Sequence, residues 1–246
     1  MTVKTIYFDT ETTGLEPDED QIIELALLTF SEGKLTEEYD KLIKINNGGE
    51  LSEDITNLTG ITPEQLEEEG ISEADAAEDL YQRITEDTPI VMIAHNTQFD
   101  LLFISSLLKK YYPAGDIDKY LSRIYWLDTL TIFKDRAGYP HKLKDMVNHY
   151  NLEEDYTFHR AIDDARALHG SVMELLNERN DLKEYINLFG YNPKYGVTGE
   201  KFPWITYRKQ PYHNGLKKYE IILPRVDDNG RIEYVVKNNE RVWEDI

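Results

Sequence analysis

The sequence predicts an α/β fold, a mixed sheet with helices on both faces. Three observations carry that expectation. Residues 3–45 hold three largely apolar runs joined by short polar turns, the pattern of an antiparallel meander. Ile90-Val91-Met92-Ile93-Ala94 is short and wholly apolar, typical of a strand buried on both faces. From there to about residue 178, strand-like and helix-like periods alternate, which puts helices on the faces of the sheet.

The first strand runs from Val3 to Phe8 and ends in two carboxylates, Asp9 and Glu11. Strand side chains alternate with period two, so these acids share a face. Thr12-Thr13-Gly14 then turns, and Gly14 lets backbone approach a ligand closely. The polar turn Glu16-Pro17-Asp18-Glu19-Asp20 leads to a second strand, Gln21 to Phe30, and Ser31-Glu32-Gly33 to a third, Lys34 to Ile45. Residues 52–88 read as short helices. Thr62 caps one with Pro63 at its first position, and Ser72 with Asp75 opens another towards Thr85.

After the apolar strand, His95-Asn96 precedes a helix from about Gln98 to Tyr111. A strand around Ile124-Tyr125-Trp126-Leu127 stops at Asp128-Thr129. Helices follow near Thr129–Arg136 and Leu143–Tyr150, and a long one covers roughly Arg160 to Glu178. Further on, Phe202 to Tyr207, Tyr219 to Leu223 and Arg231 to Val236 are strand-like, with a hairpin turn at Asp227-Asp228-Asn229-Gly230. The expected organisation is one domain over 1–185 and a small β-rich C-terminal extension over 186–246.

The 246 residues suffice for one sizeable core, and 40% hydrophobic with 30% charged residues is ordinary for a soluble globular protein. The chain enters a strand at once and has no apolar run of membrane-spanning length, so neither a leader nor a membrane partner is expected. The absence of cysteine excludes disulfides and thiolate metal sites and agrees with a cytoplasmic location. Residues 1–185 carry 17 Lys and Arg against 39 Asp and Glu, a net −22, whereas residues 186–246 carry 10 against 8, a net +2. Such acidity opposes nucleic-acid binding unless divalent ions neutralise the carboxylates and themselves meet phosphate.

Two more acids stand out by position. Asp100 has Phe103, Ile104 and Leu107 at helical spacing, so it lies on an apolar face, where an unpaired carboxylate needs a cation. Asp164 lies among Ala161, Ala165 and Leu168 on the buried face of the last long helix, whereas Asp163 points towards the solvated side with Arg160 and Arg166. Oxygen ligands of this kind suit Mg²⁺ or Mn²⁺. His159, at the entry of the same helix, is placed to act as a base beside such a cluster; His95 only borders it.

Together these residues resemble the DEDDh, or DnaQ-like, family of 3′–5′ exonucleases, whose members include proofreading subunits of bacterial DNA polymerases. The three family motifs appear in order as Asp9-Thr10-Glu11-Thr12-Thr13-Gly14, His95-Asn96-Thr97-Gln98-Phe99-Asp100 and His159-Arg160-Ala161-Ile162-Asp163-Asp164-Ala165. Weaker agreement occurs at Thr59-Gly60-Ile61-Thr62, Leu127-Asp128-Thr129-Leu130 and Lys142-Leu143. Before Thr59 the chain has Asn57-Leu58 where many relatives have a histidine. The resemblance covers about residues 1–180. It implies a ribonuclease H-like fold with a five-stranded mixed sheet and flanking helices. It further implies that Asp9, Glu11, Asp100 and Asp164 hold two divalent cations, with His159 as general base. Thr12, Thr13, Gly14 and the side chain of Leu15 would hold the last nucleotide, with Asn96 and Phe99 at its edge. The implied substrate is a single-stranded or frayed 3′ end of DNA, and a DNA polymerase is a candidate partner. Two rivals stay open: trimming of RNA by the same chemistry, and an inactive exonuclease fold that binds partners. For the extension, Tyr207, Arg208, Lys209, Lys217 and Lys218 are expected to help hold substrate, unless that segment only covers a sheet edge.

Overall fold

A computed structural model describes residues 3–46, 50–152, 158–210, 220–226 and 232–238. Strand β1 (Lys4–Thr12) lies at the centre of a five-stranded sheet. Its antiparallel neighbour β2 (Ile22–Ser31) sets Asp9 opposite Ala26 and Glu11 opposite Glu24, and β3 (Lys34–Leu42) forms that edge. Helices α1 (Glu53–Thr59), α2 (Pro63–Glu69) and α3 (Glu73–Ile84) carry the chain to β4 (Ile90–Ala94), which pairs with β1 in parallel. Then come α4 (Thr97–Tyr111), α5 (Ala114–Leu121) and β5 (Tyr125–Asp128), parallel to β4. Helices α6 (Thr129–Arg136), α7 (Leu143–His149) and α8 (Ala161–Glu178) follow. The strand order β3-β2-β1-β4-β5 is the mixed five-stranded sheet with flanking helices that the sequence predicts.

Alternation along β1 divides the interior in two. Ile6 and Phe8 pack with Leu80 of α3, Leu101 and Ile104 of α4 and Ile117 of α5. Tyr7 faces the other way, into Ile132, Phe133, Ala165 and Leu168 of α6 and α8. Each fully buried side chain of this size contributes roughly 1.5–3 kcal/mol, so both faces hold the central strand in place. The sequence reading has no counterpart for α5, whose apolar spacing amounts to little more than Ile117 and Leu121. The expected strand to Ile45 stops at Leu42; Ile43 still donates its N–H to Ile23 O at 2.8 Å but also bridges Ile71.

The chain does not leave the core at residue 185. After a 3₁₀ turn at Leu182–Tyr185 come β6 (Leu188–Tyr191) and β7 (Thr206–Lys209), a parallel pair. Tyr185 and Leu188 join the α8 side of the core, and Phe189, Phe202 and Ile205 join the α4 side. Asn187 closes onto the β5 edge, accepting from the Trp126 N–H at 2.8 Å and donating its own N–H to Trp126 O at 2.8 Å. Phe202 to Ile205, read as part of a strand, form the turn that precedes β7. Strands β8 (Glu220–Val226) and β9 (Ile232–Asn238) form an antiparallel pair. The turn expected at 227–230 lies outside the described residues, as do Lys217 and Lys218.

This packing corrects the expectation for Arg208. Its side chain is fully buried and paired with Asp135, which also accepts from Tyr185 Oη at 3.1 Å and Gln210 Nε2 at 2.8 Å. Charge composition suggested a substrate contact; the guanidinium instead fastens β7 to α6. Tyr207 is half-buried, donating its hydroxyl to Gln98 Oε1 at 3.0 Å, and Lys209 is exposed. Burial raises the Asp135 pKa even against the opposing pull of Arg208. Asp135→Ala would leave the guanidinium buried without that carboxylate, and breaking such a pair costs about 3–5 kcal/mol. Urea unfolding of the variant should show that loss, and a loss below about 1 kcal/mol would contradict the tether.

Candidate active site

The site forms where β1 ends. Asp9 and Glu11, one residue apart on the same face of the strand, are both half-buried. The residue between them points to the other face, and Thr10 Oγ1 there donates to Asp100 Oδ1 at 2.7 Å across from α4. One ligand atom each from Glu11, Asp164 and His159 lies within 4.8 Å of the others. Asp163 instead pairs with Arg166 at 2.9 Å on the outer side of α8.

Two helices bring acids to this place, and neither is capped by its own first side chain. Instead each N-terminus is held by a buried carboxylate from a strand. Asp128, at the end of β5, accepts the N–H groups of Asn96 at 3.0 Å and Thr97 at 3.2 Å at the start of α4. It also caps α6 through the Leu130 and Thr131 N–H groups. Glu24 of β2, fully buried, accepts the Ala161 N–H at 2.9 Å at the start of α8. Its charge is balanced by Arg160, with Nε at 3.0 Å and Nη2 at 2.7 Å from Oε1. Helix N-termini favour negative charge, so both anchors and the acids one turn on are electrostatically compatible with where they sit. The residues just outside, Asn96 with φ 74° and His159 with φ 71°, take the left-handed conformation, which fixed surroundings must sustain. The His159 N–H donates to Asp164 Oδ2 at 3.2 Å.

This convergence works against ionisation. Burial raises Asp9 well above the usual carboxylate range, and Asp100, Asp164, Glu11 and Glu24 push the same way. Burial, then Asp164 and Glu24, raises Glu11 to about 8, although Arg160 lowers it. Burial raises Asp100 to about 7 despite the Thr10 bond, and raises Asp164 to about 7 despite the His159 N–H. Asp164 Oδ1 is buried with no hydrogen-bond partner. Four acids near one another, with an orphaned oxygen among them, are a donor set that fits hard divalent cations. Desolvation, with Lys142 and Lys144 adding, lowers the His159 pKa, which keeps the imidazole neutral and able to take a proton.

The turn after Glu11 is locked from within. Thr12 Oγ1 donates to Gly14 O at 2.6 Å, and Thr13 Oγ1 donates to Asp20 Oδ1 at 2.9 Å. A Cβ on Gly14 would fall 2.3 Å from the Asp20 carboxylate, so a larger residue would have to move that side chain off its bonds to Thr13 Oγ1 and the Glu16 N–H. The two hydroxyls therefore shape the turn, while the side chain of Leu15 projects from it, 74% exposed. At the start of α4, Asn96 is exposed and Phe99 half-buried against Phe103. His95 has both ring nitrogens engaged, with Thr129 Oγ1 at 3.0 Å and His141 O at 2.8 Å, so its work is structural. The sequence reading missed Thr10, Glu24 and Arg160. The available signal was Glu24 itself, a single acid inside the apolar run of β2.

Residues 6–170 match the family model RNase_T, described as Exonuclease. The chain belongs to this exonuclease family. The PolC-type DNA polymerase III of Thermotoga maritima is 33% identical to this chain over 162 residues, 65% of the chain and 11% of the polymerase. That of Bacillus subtilis is 30% identical over 177 residues, 70% of the chain and 11% of the polymerase. The chain thus spans about a tenth of the length of the polymerases it matches. The crystal structure of E. coli exonuclease I in complex with a dA16 oligonucleotide shares the fold. Its TM-score is 0.64 at 18% identity, covering 75% of this chain and 42% of that one. These findings bear out the DEDDh resemblance at the family level and the ribonuclease H-like fold. Among the described residues, no helix is long and apolar enough to cross a membrane.

The raised acids set a pH dependence. A carboxylate whose folded pKa exceeds its unfolded value of about 4 makes the folded state bind more protons, so stability falls as pH rises. With chelator present, the melting temperature should fall from about pH 5 to pH 8, the window bounded by about 7 for Asp100 and Asp164 and about 8 for Glu11. Mg²⁺ or Mn²⁺ should flatten that slope, and Asp9→Asn should raise the chelated protein's melting temperature at pH 8. Stability that climbs from pH 5 to pH 8 in chelator would contradict the clustering.

Proposed function

We propose that this chain is a divalent-metal-dependent exonuclease that hydrolyses DNA phosphodiesters from a single-stranded or frayed 3′ end and releases 5′-mononucleotides. The observation that carries this reading is that Glu11, Asp164 and His159 bring ligand atoms within 4.8 Å of one another, with Asp9 close enough to Asp100, Asp164 and Glu11 to be raised by all three. Two divalent cations held by the four acids would activate water and offset charge on the departing 3′ oxygen. His159 receives the proton of the attacking water on its ring nitrogen, which a lowered pKa leaves free at neutral pH. Thr10 orients Asp100, and Glu24 with Arg160 fixes the turn that presents His159. Leu15 wedges beside the terminal base, with Asn96 and Phe99 at its edge. Such a wedge favours ends that are already unpaired, because fraying a paired base costs a few kcal/mol.

The PolC-type relatives and the oligonucleotide complex of exonuclease I support DNA as the substrate, and the former make a polymerase a candidate partner in proofreading or repair. A buried, mutually repelling cluster is costly to keep without a cation to bind, which weighs against an inactive scaffold.

The test is a 5′-labelled single strand with Mn²⁺, run beside a duplex, a mismatched end and a matched RNA. Stepwise shortening from the 3′ end of the DNA is expected, faster at unpaired than paired ends. Internal cuts, or cleavage of RNA alone, would overturn the assignment. His159→Ala should lower turnover by about 10²–10⁴-fold while calorimetry still shows metal binding. If the variant loses the metal, His159 is a ligand and not the base.

A further inference from the structure

A recess of about 180 Å³ lies beside the active site, between the start of α4, helix α6 and residues 189–198. It shares Asn96 and Phe99 with the edge of that site, so a strand crossing Phe99 continues into it. We propose that this recess is a second nucleotide site, taking an unpaired base of the substrate strand on the 5′ side of the cleaved linkage, with Lys134 meeting its phosphate. The inference rests on the exonuclease reading above and names a part of the strand that the four acids do not reach.

The walls are aromatic where a base would lie. Phe99, Tyr191, Tyr195 and Tyr207 line the recess, and Tyr195 is 67% exposed with Lys194 Nζ 5.0 Å from its ring centroid. Exposed rings beside cations are the platform on which unpaired bases stack. Lys134 supplies the charge. It is half-buried on α6, and no carboxylate of the described residues lies within ion-pair distance of it, in a chain of net charge −20. Burial lowers its pKa, and Asp128 and Asp135, which oppose that, are themselves occupied, the first by helix N–H groups and the second by Arg208. A half-buried ammonium without a partner is stabilised by an anion, and a phosphodiester is one.

The recess is also held in shape. Gln98 Nε2 donates to Thr198 O and Glu200 O, both at 2.8 Å, and the Gly190 N–H donates to Thr131 Oγ1 at 2.6 Å. Gly190 packs directly on Gln210, where a Cβ would fall 1.8 Å from its amide oxygen. The loop that closes the recess follows the 6–170 family match. One wall, residues 189–198 with Tyr207, thus comes from the part of the chain that the family model leaves out, and the other, with Phe99 and Lys134, from within the match.

The test uses the full chain with Mn²⁺ and two substrates. One is the p-nitrophenyl ester of thymidine 5′-monophosphate, which has no strand beyond the cleaved bond. The other is a single-stranded oligothymidylate or oligouridylate of about ten nucleotides, whichever the wild type cleaves. Tyr195→Ala and Lys134→Gln should each raise KM for the oligonucleotide about 5- to 150-fold, the loss of one stacking or phosphate contact. kcat should hold, and the ester should be cleaved within about twofold of the wild-type rate. Lys134→Gln should also reduce the salt slope of log KM by about 0.7. Oligonucleotide KM values unchanged in both variants, or equal losses on both substrates, overturn the subsite alone. A wild type that cleaves neither substrate overturns the exonuclease reading and the subsite with it.

Discussion

Four carboxylates that repel one another must be held together at the end of one strand, and much of the structure serves that requirement. Asp9 and Glu11 come with β1, whose neighbours on both sides are fixed by sheet pairing and whose alternate side chains fill both cores. Asp100 and Asp164 arrive on helices, and those helices cannot drift because Asp128 and Glu24 bind their first N–H groups. Glu24 would itself add to the repulsion, and Arg160 offsets it with two contacts. Stability is lost at this point, and under the proposed function a bound cation would restore it, the usual relation between a working site and the fold beneath it.

Under the proposed function, the same constraint accounts for how so acidic a chain would meet an anionic polymer. Repulsion over the surface falls off within a Debye length of about 8–10 Å at ordinary salt, so local arrangement decides where phosphate is accepted. The acidic cluster becomes attractive once cations occupy it. Lys134 and Lys194 lie along one adjoining side, on α6 and in the loop before β7. Binding confined to the chain end, as the proposed function requires, would follow from this distribution without a basic groove.

Much of this was legible in the sequence where periodicity and chemistry agree. Period two put Asp9 and Glu11 on one face, and helical spacing separated the buried Asp164 from the half-buried Asp163. What the sequence could not disclose were contacts between residues far apart in the chain. Nothing local to Thr10 announces a bond to Asp100, and nothing local to Arg208 announces Asp135, 73 residues earlier. Arg208 looked like a solvated charge in a slightly basic segment, because composition counts charges without pairing them. The boundary read at 185 had the same origin: charge changes there, while Leu188, Phe189, Phe202 and Ile205 continue the core.

The central claim, that the site holds mutually repelling carboxylates for cations to bind, is tested most directly by the protons those cations displace. Mn²⁺ would be titrated into the full chain at pH 7 in two buffers of different ionisation heat. With Glu11 raised to about 8 and Asp100 and Asp164 to about 7, part of the cluster is protonated at that pH. Binding should therefore release on the order of one proton or more per chain, with the release fading above about pH 9. Binding that is tight but releases no proton at pH 7 would contradict the account.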